Sequence, residues 1–377
     1  MEKLTMLDYV YMANACMDKN LRRGEEIVAG LVGEFVVSRA KVVRLIASGS
    51  SHNGADCARL FMQAVLGMQV VVTTPGAYIG FEHTYPTDTF DIFISQSGYS
   101  TNVLAALDFA RGRGVHTVAL TGNVGAPVAN HSDVTFDYGV GVESVDFVTM
   151  GVESLMLFLM LFSMYAARAL GLLDGSGVEA RVNGLRDAVQ VHARMLEEAR
   201  LFVEGERLTL ARQTPVILVG NGSNLGVCEE GALKFAETLK RSSSFYEGEE
   251  FVHGPEMQMA PNYLLLMIDD PEGSTRMHNV FSALRKVCSG TFLLTSHPAG
   301  VAGEVCMPEL AEPLASAIPA LVVVQVICAT LAQELNSWDV HPFLEAVEDE
   351  FDAKATGYDD AVKSLENQAR EQYRRHG

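Results

Sequence analysis

The chain has 377 residues, 48% of them hydrophobic and 20% charged, with 28 Lys and Arg against 47 Asp and Glu for a formal net charge of −19. That length predicts two domains, and that composition predicts a globular chain with a sizeable core rather than a disordered one. The acidity argues against nucleic acid as a partner, because binding a phosphate backbone needs clustered cations that displace counterions, and the first forty residues hold no basic helix-turn-helix signature.

In chain order, residues 1–40 read as an N-terminal helical segment. From 41 to 170, short β-branched runs alternate with helical stretches, the pattern of an α/β domain whose parallel sheet carries helices on both faces. Strands are expected at Val42–Ala47, Val70–Thr74, Asp91–Ser95 and His116–Thr121, with a helix at Asn102–Arg113. The apolar run Leu155–Ala167, bounded by Glu153 and Arg168, falls short of the roughly 20 residues that cross a bilayer, so it predicts a buried helix and no membrane partner.

Residues 171–213 are charged and helical and read as a connector, with Gly171, Gly175 and Gly177 breaking the chain before an amphipathic stretch at Val189–Ala199. A second domain follows at 214–342, with strands at Pro215–Val219, Tyr263–Ile268 and Thr291–Thr295 and a helix at Ile318–Leu331. Ser48-Gly49-Ser50-Ser51 follows the first strand of one half and Gly220-Asn221-Gly222-Ser223 that of the other, which points to a duplicated unit. The tail, 343–377, is acidic and then mixed in charge, without strand signal, and is expected to be helical at the surface or at a subunit contact.

The six cysteines show no C-x-x-C spacing and read as free thiols of a reducing, cytoplasmic compartment, in keeping with an N-terminus that lacks an export signal. His, Asp and Glu do not cluster at metal-ligand spacing, and neither a dinucleotide loop nor a P-loop lysine motif occurs, so no metal and no cofactor is expected.

Chemistry should lie in the loops at the carboxyl ends of the strands. Ser95-Gln96-Ser97-Gly98-Tyr99-Ser100-Thr101-Asn102 places hydroxyl side chains around one glycine where a strand turns into a helix, an arrangement suited to phosphate: helix N–H groups and hydroxyls donate, and no lysine is required. A serine-rich capping turn is the plainer reading. Gly49-Ser50-Ser51-His52-Asn53 offers a second such loop in the same domain. In the second half, Glu230, Lys234 and Glu237 recur at helical spacing on one face, either as an ordinary salt-bridged stripe or as catalytic groups, and His253 stands before a Gly-Pro pair that can fix an imidazole on a loop.

Taken together, Ser95-Gln96-Ser97-Gly98 with Ser100, Gly49-Ser50-Ser51, Glu230-Gly231-Ala232-Leu233-Lys234 with Glu237, and His253-Gly254-Pro255 resemble the motifs of the double sugar-isomerase (SIS) domain family. That family includes the isomerase module of glucosamine-6-phosphate synthase and the deglycases of fructose-amino-acid 6-phosphates such as fructoselysine and fructose-asparagine 6-phosphate. The resemblance covers roughly Val42 to Pro342 and implies two tandem SIS domains, each a flavodoxin-like parallel sheet. It further implies that Ser51, Ser95, Gln96, Ser97 and Ser100 bind the phosphate of a sugar phosphate, that Glu237 moves the sugar proton, and that His253 opens the ring or acts as acid. Gly49, Ser50, Glu143, Glu230, Lys234 and His341 are the remaining substrate-binding candidates, and a homo-oligomer, a dimer or higher, is expected, with His341 serving its own site or a neighbouring subunit's.

Departures from the synthase pattern are informative. The chain starts Met-Glu-Lys without a glutaminase region, Met150 stands where the synthase has a lysine, and no counterpart of its near-C-terminal lysine follows His341. The resemblance therefore favours the deglycase branch, in which the substrate brings its own amine. An aldose–ketose isomerase, a deaminating isomerase and a non-catalytic sugar-phosphate sensor are the alternatives.

Overall fold

The computed structural model describes residues 4–145, 147–338 and 350–364. The chain divides into two units, Met1–Val182 with His341–Gly377 and Asn183–Val340.

The first unit opens with two helices, α1 (Met6–Arg23) and α2 (Glu25–Ser38), separated by Gly24 at φ 50°. A capping box starts α1, with the Thr5 hydroxyl accepting from the Asp8 N–H and the Asp8 carboxylate accepting from the Thr5 N–H. Strands and helices then alternate: β1 (Val42–Ile46), α3 (Ser50–Leu66), β2 (Gln69–Thr73), α4 (Pro75–Gly80), β3 (Thr89–Ile94), α5 (Thr101–Gly112), β4 (Val118–Thr121), α6 (Val128–His131), β5 (Val134–Asp137) and α7 (Met150–Ala169). All pairings are parallel, in the order β2-β1-β3-β4-β5. This is the flavodoxin-like order, whose direction reverses between β1 and β3, so the loops after those two strands flank the crevice where such sheets bind ligands.

Burial explains why these strands are mostly apolar, the charged exceptions Arg44 of β1 and Asp91 of β3 being buried and paired with each other at 3.3 Å. Ile46, Phe93 and Ala119 pack under Tyr78 of α4, Val103 and Leu107 of α5 and Val128 of α6, while α1, α2 and α3 all pack on α7. A strand covered on both faces has no polar side, and β1 is buried at every position. The apolar run near 155–167 belongs to a longer element than its sequence bounds imply. By length and composition the 20-residue α7 is able to span a bilayer, yet 94% of its apolar window is buried against protein, which is what its apolarity serves.

A 38-residue helix, α8 (Gly175–Arg212), leads into the second unit. Gly171, at φ +75°, precedes it, whereas Gly175 and Gly177 lie in its first turn rather than breaking it. The second unit continues as β6 (Val216–Gly220), α9 (Ser223–Leu239), β7 (Ser243–Glu247), α10 (Gly248–Phe251), β8 (Leu264–Ile268), α11 (Thr275–Leu284), β9 (Thr291–Thr295), β10 (Glu304–Cys306) and α12 (Ala317–Leu335). Its sheet, β10-β9-β8-β6-β7, is again all parallel and repeats the order of the first. Phe251, Met277 and Phe281 cover Ile217, Leu265 and Leu293 on one face, and α9 packs against α12 and β6. The segment containing α12 is also long and apolar enough to span a bilayer, with 89% of its window buried.

Three strands carry no clear sequence signal, namely β5, β7 and β10. Each lies at a sheet edge, is half-buried or short, and so lacks the continuous apolar run that marks the interior strands. In the tail, the described residues include a helical stretch at 358–364, in keeping with the expected helical character, and before it Lys354 forms an antiparallel bridge with Ser100.

Candidate active site

The first unit builds an anion-receptive surface from two strand-end loops. Gly49 takes φ 56° and ψ −136°, a conformation open to glycine, and caps α3 so that Ser50 and Ser51 enter the first helical turn, where both are buried. After β3, Ser95 is held by its N–H to the Leu120 carbonyl at 3.0 Å. Its hydroxyl accepts from the Gly98 N–H at 3.1 Å and donates to Ser100 Oγ at 3.2 Å, while Ser97 Oγ accepts from the Tyr99 N–H at 3.2 Å. Gly98 has φ +76°, and a Cβ there would stand 2.4 Å from that of Ala126, so neither the backbone nor the space admits another residue. Asn102 Nδ2 donates to Ser48 Oγ at 2.8 Å and ties the two loops together.

Gln96 is buried, and its backbone carbonyl accepts from the Gly122 N–H at 3.0 Å and Thr121 Oγ1 at 3.3 Å. Its side-chain Nε2 is buried without a hydrogen-bond partner among the described residues. A buried donor left unmade costs about 1–3 kcal/mol, so such a group in a strand-end loop marks a place that a ligand oxygen would satisfy. The N-termini of α3 and α5 add partial positive charge at the same loops.

Glu143 sits beside Gln96, since a Cβ on Gly151 would meet Glu143 Oε1 at 2.7 Å and Gln96 Cγ at 3.0 Å. Its carboxylate is committed to the start of α7: Oε2 accepts from the N–H of Thr149 (2.9 Å) and Met150 (3.1 Å), and Oε1 from that of Gly151 (2.7 Å). Next to it lies a cavity of about 300 Å³ whose lining includes Met12, Cys16, Lys19, Arg23, Asp137 and Met150. Burial pushes the Cys16 thiol up to about 11, so it is protonated at neutral pH and acts in packing. Four other cysteines are buried free thiols, and Cys306 is exposed.

In the second unit, the i, i+4, i+7 pattern proves to be a buried cluster instead of a solvent-facing stripe. The side chains of Glu230 and Lys234 are both 0% exposed, with Lys234 Nζ 3.0 Å from Glu230 Oε1 and 2.7 Å from Glu237 Oε2. Burial pulls the Lys234 pKa down, and the two carboxylates more than reverse this, leaving it above its ordinary value. The Glu237 side chain is 29% exposed and lies two residues before the end of α9. The triad thus fixes one reachable carboxylate to a buried ammonium. Lys240, at the end of the same helix, donates to the Glu237 carbonyl.

His253 lies on the turn after α10 and is exposed, with its N–H donating to the Glu250 carbonyl at 3.2 Å and Gly254 following at φ +135°. Among the described residues, no hydrogen bond or ion pair joins its ring to Glu237. The acidic run before it is engaged locally. Glu247 caps α10 through the N–H groups of Glu249 and Glu250, and Glu249 pairs with Arg276 at 2.8 Å. His341 lies outside the described residues.

The two halves match one family in sequence. The SIS domain family matches residues 37–165 and 209–300, together more than half of the chain. The chain belongs to the SIS domain family. One relative is glutamine–fructose-6-phosphate aminotransferase [isomerizing] 2 of Homo sapiens, 26% identical over 219 residues, which cover 58% of this chain and 32% of that one. The chain therefore spans about a third of the length of that relative. Among solved structures, a candidate phosphosugar isomerase of Clostridium difficile superposes with a TM-score of 0.82 at 19% identity, covering 91% of this chain and 98% of the other. The C-terminal domain of glucosamine-fructose-6-phosphate aminotransferase from Francisella tularensis gives a TM-score of 0.74 at 15% identity, covering 88% and 96%. These structural likenesses establish the fold.

Within this SIS protein, two loop contacts escape the sequence. Asn102 is legible as a polar residue in a helix-start motif, but its bond to Ser48 across 54 residues is not. The contact of Lys354 with Ser97, at 3.3 Å and 257 residues apart, has no sequence signal at all.

Proposed function

We propose that this SIS protein is a phosphosugar-processing enzyme of the isomerase type, and that it cleaves a fructose-amino-acid 6-phosphate to glucose 6-phosphate and a free amino acid. The observation that carries the reading is the pair of hydroxyl loops locked together by Asn102 and Ser48, with the Gln96 Nε2 of the second loop buried and, among the described residues, unpartnered. Ser51, Ser95, Gln96, Ser97 and Ser100 grip the phosphate, with Gly49 and Ser50 shaping the loop. They break no bond, and serve to anchor the sugar by its phosphate.

In such a ketoamine, C1 carries the amino acid nitrogen and protons acidified by the C2 carbonyl. Glu237 takes a C1 proton while the C2 oxygen receives one from His253, giving an enaminol. Return of the proton to C2 leaves an imine between C1 and nitrogen, which water hydrolyses to the aldose phosphate and the amine. Lys234 and Glu230 orient the Glu237 carboxylate, and Glu143 sets the start of α7 next to Gln96. Met150 at the head of that helix, where the synthase pattern has a lysine, supports a substrate that already bears its nitrogen. The adjoining cavity offers room for the amino acid portion.

An aldose–ketose or deaminating isomerase would use the same enolisation, and the isomerizing relative favours keeping that second reading. Incubation with fructose-lysine, fructose-asparagine, glucosamine and fructose 6-phosphates separates them. Release of amino acid from the first two is expected. Ammonia release or sugar isomerisation alone replaces the deglycase reading with the second, and binding without turnover leaves only a sensor.

A further inference from the structure

We infer that Lys354 is an additional phosphate ligand of this site, carried in by the C-terminal segment that docks on the loop after β3. The inference rests on the phosphosugar reading above and adds a residue that the loop motifs do not contain.

The docking is made by backbone and packing. Ala353 O accepts from the Thr101 N–H at 3.2 Å, the Ala355 N–H donates to Tyr99 O at 2.8 Å, and Thr101 Oγ1 donates to Asp352 O at 2.7 Å. Tyr358 meets the Tyr99 ring edge-on with centroids 5.6 Å apart, and Ala355 packs against the apolar cluster under α5. In this register Lys354 stands opposite Ser100, and its Nζ donates to Ser97 Oγ at 3.3 Å while lying 5.0 Å from the Tyr358 ring centroid. The ring contact holds the ammonium beside the loop by cation–π attraction.

Charge explains why such a residue is needed. Neither Ser48–Asn53 nor Ser95–Asn102 contains a Lys or Arg, and the chain as a whole carries −19. The hydroxyl loops therefore confront a phosphate dianion with neutral donors inside a repelling field. Docking of the tail also takes the Thr101 N–H, one of the free donors at the head of α5, and brings a full positive charge to the neighbouring hydroxyl in exchange. An ammonium–phosphate bond is about twice as strong as a neutral one, so the exchange favours a phosphorylated ligand.

The test is titration of the full chain with sorbitol 6-phosphate at low and high salt, comparing wild type with Lys354→Met and Lys354→Arg, alongside kinetics on the substrate identified above. Lys354→Met is expected to weaken binding about tenfold, to flatten the salt dependence and to raise KM with kcat kept within about twofold. Lys354→Arg should recover most of the affinity, which a merely structural role of the aliphatic stem would not predict. Wild-type binding matched within about twofold by Lys354→Met overturns the assignment of Lys354 alone. Absence of wild-type binding overturns the phosphosugar reading and this inference with it.

Discussion

The two sheets have the same strand order, and their first loops share one conformation: Gly49 and Gly222 both take φ 56°, with ψ −136° and −130°, and each caps a 17-residue helix. What differs is the side chains set on that scaffold. After β3 the first unit has Ser95, whose hydroxyl serves its own loop and Ser100. After β8 the second has Asp269, whose Oδ1 accepts from the N–H groups of Asp270 (2.9 Å) and Ser274 (3.0 Å) and whose Oδ2 accepts from Thr295 Oγ1 (2.7 Å) and meets His278 Nε2 at 3.0 Å. One loop is thus built from neutral hydroxyls, and the other has an anion built in. The helices that follow reverse the contrast. The equivalent positions of α3 hold Cys57 and Phe61, both buried, and the exposed Ala64, where α9 holds Glu230, Lys234 and Glu237. The duplicated fold supplies equivalent positions, and single side chains set the two units apart; under the proposed function the first would bind and the second react.

The largest effect should come from removing the reactive side of that contrast. Glu237→Gln keeps shape and loses the base, so turnover of the phosphosugar should fall about 10²- to 10⁴-fold with an unchanged melting temperature; a loss below tenfold in a folded protein would remove Glu237 from the mechanism. Ser95→Asp imports the second unit's residue into the first. A carboxylate facing a phosphate costs several kcal/mol, so calorimetric titration should show sorbitol 6-phosphate binding about 100-fold weaker or lost, and retained affinity would show that this loop does not hold the phosphate.

Next comes Lys234→Met, which strands Glu230 beside Glu237 in a buried helix face and should destabilise the protein by about 3–5 kcal/mol in urea unfolding. Joint replacement of Glu230, Lys234 and Glu237 by the Cys, Phe and Ala of α3 should restore most of that stability while leaving no activity. Because the Lys234 pKa is raised in the folded state, its contribution is complete below the unfolded value of about 10.4 and disappears as pH rises through the folded value. Alkaline unfolding of wild type beside the triple variant reads this directly.

The smallest effect concerns the acidic loop. Burial raises the Asp270 pKa, with Asp269, Glu247 and Glu272 adding to it and the Asn221 hydrogen bond opposing it. A carboxyl raised in this way holds more protons folded than unfolded, so it costs stability at neutral pH and nothing once both states are protonated. Asp270→Asn keeps an acceptor for Asn221 and should stabilise the protein by up to about 1 kcal/mol at pH 7, a gain that vanishes below about pH 3.9. An equal gain at both pH values would mean that charge is not the cause.

Much of this was readable in one dimension because the signals are local. The interior strands β6 and β8 are continuous apolar runs, β1 and β3 are apolar but for the paired Arg44 and Asp91, and the loops after β1, β3 and β6 bring glycine and hydroxyls together within a few residues. The edge strands β5, β7 and β10 were not legible, since one half-exposed side dilutes the apolar pattern on which such a reading depends. Glu143 illustrates a subtler limit: its residue type does not reveal that its carboxylate accepts from three backbone N–H groups at the start of α7.

Order along the chain, then, determined the duplicated α/β units, their family and the short hydroxyl and Glu-Lys-Glu motifs, because backbone turns and helix periodicity act over a few residues. Tertiary packing alone decided that Glu230 and Lys234 are buried and Glu237 reachable, that Asn102 clips two loops together, and that Lys354 arrives at Ser97. Burial and long-range contact depend on what the rest of the chain brings alongside, and no local pattern encodes that.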